Sequence, residues 1–214
     1  MAVTGIHTPR VEDYLARRLP SPHPVLREME SYARRFDFPI VGPQVGRFLE
    51  LAARAVRARL VVELGSGFGY SAAWFLRGMG PRGAIHLTDA SENHAEMARD
   101  CLGRMGFGRR FKFHVGDALD LLDALPVERA DILFMDIDKE GYPDARRNFA
   151  PRMKPGALLL VDNLLWSGLV ATGDRSPETR AIRAFTGQML RDPRFRMTLL
   201  PVRDGVGFAV KVRM

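Results

Sequence analysis

A chain of 214 residues, 46% hydrophobic and 27% charged, is long enough to bury a core without disulfides or structural metal, and its balance excludes a disordered or fibrous protein. The formal charge of +7 comes almost wholly from arginines scattered from Arg10 to Arg213 without a block of like charge, so it reads as solvated faces more than as a nucleic-acid stripe. One cysteine, Cys101, excludes a disulfide framework, and the lack of a secretory leader pattern or of an apolar run near the roughly 20 residues of a membrane span points to the cytoplasm, with no membrane partner.

Residues 11–56 carry helical apolar periodicity, with Tyr14, Leu15 and Leu19 on one stripe and Phe48, Leu49, Ala52 and Ala53 on another. Prolines interrupt the pattern at 20–24 and 38–43, which predicts three helices. At 60–64 the pattern becomes Leu-Val-Val-Glu-Leu, a short apolar run closed by glycines, as a strand buried on both faces requires. Similar runs at 84–88, 111–115, 131–135 and 157–161 alternate with helical segments and predict an open α/β sheet. The runs 195–202 and 206–212 are joined by Arg203-Asp204-Gly205, a hairpin turn, so one of these two strands opposes the otherwise parallel sheet. The expectation is one domain over residues 1–214, with a helical cap at 1–58 and the α/β core at 59–214.

The first strand runs into Glu63-Leu64-Gly65-Ser66-Gly67-Phe68-Gly69-Tyr70-Ser71 and then a helix, a turn whose glycines let a ligand approach the backbone. A dinucleotide fingerprint would need glycine where Tyr70 stands, and no Gly-Lys-Ser or Gly-Lys-Thr follows, so the phosphate-binding readings are set aside. Asp89, at the end of the second strand, is placed to accept from both hydroxyls of a ribose or to cap the next helix, and the strand end beside the glycine turn favours the ribose. Asp117 offers the same two alternatives, an adenine amino group or a helix cap.

The fourth strand ends in Asp136-Ile137-Asp138-Lys139 and the fifth in Asp162-Asn163. If these strands are neighbours, Asp136, Asp162 and Asn163 bring three hard oxygen donors to one edge, which describes a site for magnesium foremost, or for calcium or manganese. Asp138 adds a carboxylate that a cation or an ammonium group must neutralise. Lysine occurs only at 112, 139, 154 and 211 in this arginine-rich chain, and lysine can give up its proton where arginine cannot, which favours Lys139 as a general base.

The glycine turn with Asp89 and Asp117 resembles the cofactor half of the class I S-adenosylmethionine methyltransferases. The stretches Asp136-x-Asp138-Lys139-x-x-Tyr142, Asp162-Asn163-x-Leu165-Trp166, and Asp192-Pro193-Arg194 through Asp204-Gly205 narrow the resemblance to the cation-dependent O-methyltransferases of the catechol and caffeoyl-coenzyme A type. The resemblance implies a Rossmann-like fold with a seven-stranded, mostly parallel sheet, an antiparallel C-terminal hairpin strand and N-terminal helices. It implies that Gly65 and Ser66 pass close to S-adenosylmethionine, that Glu63 and Ser71 hold its methionine end, Asp89 its ribose, and Asp117 with Ala118 its adenine, with Asp136 and Asp138 alongside. Val41 stands where plant members often carry threonine, which implies a backbone contact there. Ser167 replaces the family's substrate-contacting asparagine, and no N-terminal lysine for an acyl-coenzyme A is present, so a coenzyme A thioester is not expected.

The implied reaction is methyl transfer to a hydroxyl of a small, catechol-like aromatic acceptor, by a homodimer, with Asp136 and Lys139 as the catalytic residues. The alternative acceptor is the hydroxylated wobble uridine of tRNA, which relatives of this fold methylate and which the basic charge would suit. A cofactor-binding module without chemistry, and an oxidoreductase, rank behind both.

Overall fold

The computed structural model describes residues 9–19 and 23–212. Three helices come first, α1 (Pro9–Arg18), α2 (Pro24–Phe36) and α3 (Gly42–Ala55). The proline break expected at 20–24 lies partly outside the described residues. At its far end α2 starts on Pro24, whose fixed φ suits a first helical position, and the His23 ring accepts from the Val25 N–H at 3.2 Å. Asp37, left-handed at φ 50°, ends α2, and residues 38–41 carry the chain without regular structure to α3, which has Pro43 in its first turn.

Seven strands then form one sheet: β1 (Leu60–Leu64), β2 (Ala84–Asp89), β3 (Phe111–Val115), β4 (Ile132–Met135), β5 (Leu158–Val161), β6 (Phe195–Leu200) and β7 (Val206–Lys211). Their order is β3-β2-β1-β4-β5-β7-β6, with β7 antiparallel to both neighbours. Five strand runs thus pair as a parallel sheet, and the hairpin strand opposes it, as the sequence predicts. The last expected strand pair is shorter than its apolar runs: β6 stops at Leu200 because Pro201 has no N–H to give the ladder, and the Val202 N–H turns back to Leu200 O at 2.8 Å.

Helices α4 (Tyr70–Gly78), α5 (Glu92–Arg104), α6 (Ala118–Leu121), α7 (Tyr142–Arg152) and α8 (Pro177–Arg191) fill the crossovers. Alternate strand residues face opposite sides. Val61, Ile85, Phe134 and Leu160 pack with Leu26, Leu49, Phe75 and Leu102, whereas Val62, Leu133, Met135 and Leu159 pack with Phe149, Ile182 and Phe185. Burial of each such side chain contributes about 1.5–3 kcal/mol. Residues of α2 and α3 share the first of these clusters with the strands, so the helical preface is built into the core.

After β1 the chain runs outward through β2 and β3 and then returns to β4 on the other side of β1. The crevice at this reversal, beyond the carboxyl ends of the strands, is where open α/β sheets take ligands. Gly65 holds it together: at φ +79°, a Cβ there would sit 2.2 Å from the Asp136 carbonyl oxygen, so only glycine lets the exits of β1 and β4 close on each other.

Candidate active site

A cleft of about 790 Å³ opens at this crevice. Val41, Gly65, Ser66, Ser71, Asp89, Asp117, Ala118, Asp136, Asp138, Lys139, Asp162 and Asn163 all line it, so the structure gathers nearly every residue singled out from the sequence. Glu63 is the exception. It is fully buried beneath the cleft and meets it through Ser71, whose hydroxyl donates to Glu63 Oε1. Burial pushes the Glu63 carboxyl up to about 8; the Ser71 bond opposes this and the nearby Asp136 charge adds to it.

At the end of β1 and β2 the carboxylates are held by backbone donors. Asp89 Oδ2 accepts from the Gly67 N–H at 3.1 Å, and Oδ1 accepts from the Ser91 N–H at 2.9 Å and lies 2.8 Å from His94 Nδ1. Asp89 therefore ties the glycine turn to the start of α5 while facing the cleft, and a ribose would share these oxygens. Asp117 caps α6, with Oδ1 accepting from Leu119 and Asp120 N–H groups at 2.7 and 3.3 Å. Capping and an adenine contact are compatible, because the same residue lines the cleft. Thr88 locks the floor: its Oγ1 donates to Glu63 O and accepts from the Gly65 N–H at 3.2 Å, and its own N–H donates to Ser66 Oγ at 3.2 Å.

The ends of β4 and β5 look different. Asp162 is 4% exposed, and its Oδ1 is buried with no hydrogen-bond donor among the described residues. Burial, and then the Asp136 charge, push its carboxyl up to about 7. Lys139 Nζ donates to Asp136 Oδ1 at 2.8 Å and to Ile137 O at 3.0 Å, with the Tyr142 and Trp166 rings 5.1 and 5.9 Å away. Asn163 donates from Nδ2 to Asp204 Oδ2 at 3.2 Å. No three of the described His, Cys, Asp and Glu side chains gather into a metal-ion cluster, so the cation site expected here draws on two carboxylates and an amide.

The O-methyltransferase family profile matches residues 21–212. The chain belongs to that family. It is 35% identical over 179 residues to the catechol O-methyltransferase of Mycobacterium tuberculosis, covering 82% of this chain and 81% of that one. To the caffeoyl-CoA O-methyltransferase 2 of Zea mays it is 29% identical over 180 residues, covering 78% and 68%. The O-methyltransferase TomG of Streptomyces achromogenes, involved in tomaymycin synthesis and solved in complex with S-adenosylmethionine, superposes with a TM-score of 0.85 at 27% identity, covering 95% and 96%. With this family, fold and glycine-turn cleft, the chain is an S-adenosylmethionine-dependent O-methyltransferase.

The O-methyltransferase site also uses residues that the sequence reading passed over. The 38–43 segment, read as a helix break with Val41 alone set against the cofactor, supplies Phe38, Pro39, Ile40 and Val41 as a cleft wall. Phe38 packs edge-on against Phe68 and the His94 ring, both at 5.0 Å. Tyr142 is fully buried and donates its hydroxyl to Asp162 O at 3.0 Å. The Arg203-Asp204 pair, read as a turn and as part of the family-like ending, reaches both sides: Arg203 Nη1 donates to Ile40 O at 2.9 Å, and Asp204 holds Asn163. Glu178, at the start of α8, faces the cleft as well. Tyr142, Arg203 and Asp204 lie in stretches that carry the family resemblance, but no local signal gives their contacts, because each is made to a residue distant in sequence.

Proposed function

We propose that this O-methyltransferase carries a methyl group from S-adenosylmethionine to one hydroxyl of a catechol-like small molecule, with a divalent cation held by Asp136, Asp162 and Asn163. The observation that carries the reading is the buried Asp162 Oδ1, a carboxylate oxygen without a donor beside a second carboxylate. A buried, unanswered carboxylate oxygen of this kind is costly unless a cation answers it. The donor set of two carboxylates and an amide suits magnesium, with calcium or manganese also fitting hard oxygen ligands.

When bound, the cation supplies positive charge that lowers the pKa of the acceptor hydroxyl and favours two neighbouring oxygens on one ring. The rest is the work of the chain. Asp89 receives the ribose, Asp117 and Ala118 border the adenine, and Asp138, with Ser71 above Glu63, faces the methionine end. Lys139 takes the hydroxyl proton as the neutral amine, so its Nζ, which donates to Asp136 Oδ1 at 2.8 Å, must first release a proton to solvent and turn its lone pair to the acceptor. The acceptor oxygen then attacks the methyl carbon, the carbon–sulfur bond breaks with its electron pair going to sulfur, and S-adenosylhomocysteine leaves. Positioning supplies much of the rate, on the order of 7 kcal/mol or more for well-oriented groups.

The charged lining supports a small acceptor over tRNA, since apart from Lys139 it is made of carboxylates, which repel a phosphate chain. No described helix is long and apolar enough to cross a membrane. The proposal extends to a cytoplasmic homodimer, whose contact surface would include the exposed Val11, Tyr14 and Leu15 of α1. The test is methyl transfer by chelator-stripped enzyme to catechol and to hydroxylated tRNA. Restoration of catechol turnover by magnesium is expected; full rate in chelator overturns the cation, and turnover of tRNA alone overturns the acceptor.

A further inference from the structure

We infer that Asp204 is a positioning residue: its carboxylate decides which end of the Asn163 amide faces the cation site. The inference rests on the cation reading above and adds to it a residue on a different strand connection. A carboxylate has no proton to donate, so the amide atom 3.2 Å from Asp204 Oδ2 must be Asn163 Nδ2. That leaves Oδ1, the only end of the amide that can bind a cation, for the cleft that Asn163 lines beside Asp162.

Asp204 is itself held firmly. Its Oδ1 accepts from the Ser167 N–H at 2.5 Å, its carbonyl accepts from the Leu165 N–H at 2.9 Å, and Gly205 O accepts from the Leu164 N–H at 3.0 Å. The hairpin turn is thus bonded to Asn163, Leu164, Leu165 and Ser167. That segment needs such support, since Asn163, Trp166 and Ser167 are left-handed at φ 58°, 46° and 53°, a region that side chains other than glycine's enter at a cost.

The site requires aspartate in particular. Two N–H donors, from Asn163 and Ser167, meet two acceptor oxygens of one side chain. Asparagine at 204 has the same shape but only one acceptor. With its oxygen on the Ser167 N–H, it would present an NH₂ group to Asn163, whose amide must then rotate to offer Oδ1 and turn Nδ2 toward the cation.

Manganese titration calorimetry on the full chain, with S-adenosylhomocysteine titrated in parallel, tests this. D204N is expected to weaken manganese binding by about 10–100-fold, the usual scale for a residue that orients a metal ligand. Melting temperature and S-adenosylhomocysteine affinity should hold. The same substitution in an N163A background should cost little further, because the amide it controls is gone. N163D/D204N should recover most of the affinity, since a carboxylate at position 163 can accept from the new amide with one oxygen and face the cation with the other, at the wild-type total charge. Undiminished manganese binding in D204N overturns the inference, as does an equal loss in the N163A background, which would be a charge effect alone. A parallel fall in melting temperature and S-adenosylhomocysteine affinity, unrelieved in N163D/D204N, overturns it too. Wild-type protein that binds no manganese overturns both this inference and the cation reading.

Discussion

The two ends of the cleft treat their carboxylates in opposite ways. Beyond β1 to β3, Asp89 and Asp117 are answered by backbone N–H groups of Gly67, Ser91, Leu119 and Asp120. Beyond β4 and β5, Asp162 has a buried oxygen that nothing among the described residues answers, and Asp136 is paired with Lys139. One end is complete before any ligand arrives and works as a preformed mould. The other stores an electrostatic cost that the proposed cation would relieve, and binding there would then be coupled to the stability of the fold.

The largest expected effect breaks the second end. Asp162→Ala or Asp136→Ala should lower catechol turnover about 10²-fold or more, because several kcal/mol of charge stabilisation go with the cation. Turnover within a few-fold of wild type would equate the two ends. Lys139→Met should lower kcat by about 10²–10⁴-fold with S-adenosylhomocysteine affinity kept, and Lys139→Arg should not restore it. An unchanged kcat would reduce Lys139 to a neutralising partner of Asp136.

A pH series sharpens the comparison. Glu63, raised from 4.5 to about 8 chiefly by burial, adds stability that is fully present below pH 4.5 and lost as pH rises through 8. Urea unfolding of the ligand-free protein between pH 5 and 8.5 should therefore show a falling stability that Glu63→Gln makes less steep, with the raised Asp162 supplying the remainder; an unchanged slope in the variant would place the cost elsewhere. Asp192 has the opposite sign. The Arg194 hydrogen bonds, with Arg146 beside them, hold it down to about 2, so its contribution is present above the ordinary carboxylate range near 4 and lost as pH falls toward 2. The smallest effect belongs to the completed end: Asp117→Ala should cost about 1 kcal/mol of stability through the lost helix cap, measured by denaturant midpoint, with turnover changed only modestly.

Much of this arrangement was legible in the sequence, and the reasons differ by element. The five parallel strands could be read because each is a buried apolar run of strand length between helical segments, and Arg203-Asp204-Gly205 announced the reversal. Asp136, Asp162 and Asn163 could be read because strand ends are where such sheets bind, and β4 and β5 prove to be neighbours. The contacts of Asp204, and the wall that Phe38, Pro39 and Ile40 add to Val41, could not. Their roles come from pairings such as Asp204 with Asn163 and Arg203 with Ile40, which turn chemistry and proline content explain equally well without a site. The depth of Glu63 was hidden for a related reason: strand alternation gives the face of the sheet, not whether a side chain stops below a ligand or beside it.

The central claim is that oxygens at the ends of β4 and β5 meet around one cation next to the cofactor. A crystal of the wild-type protein grown with S-adenosylhomocysteine and manganese, measured for anomalous scattering, tests it most directly. The account predicts a single manganese peak bonded to Asp136, Asp162 and Asn163 Oδ1, with Lys139 released from Asp136. A peak elsewhere, or cofactor in the cleft with those oxygens turned apart and no metal between them, would contradict it.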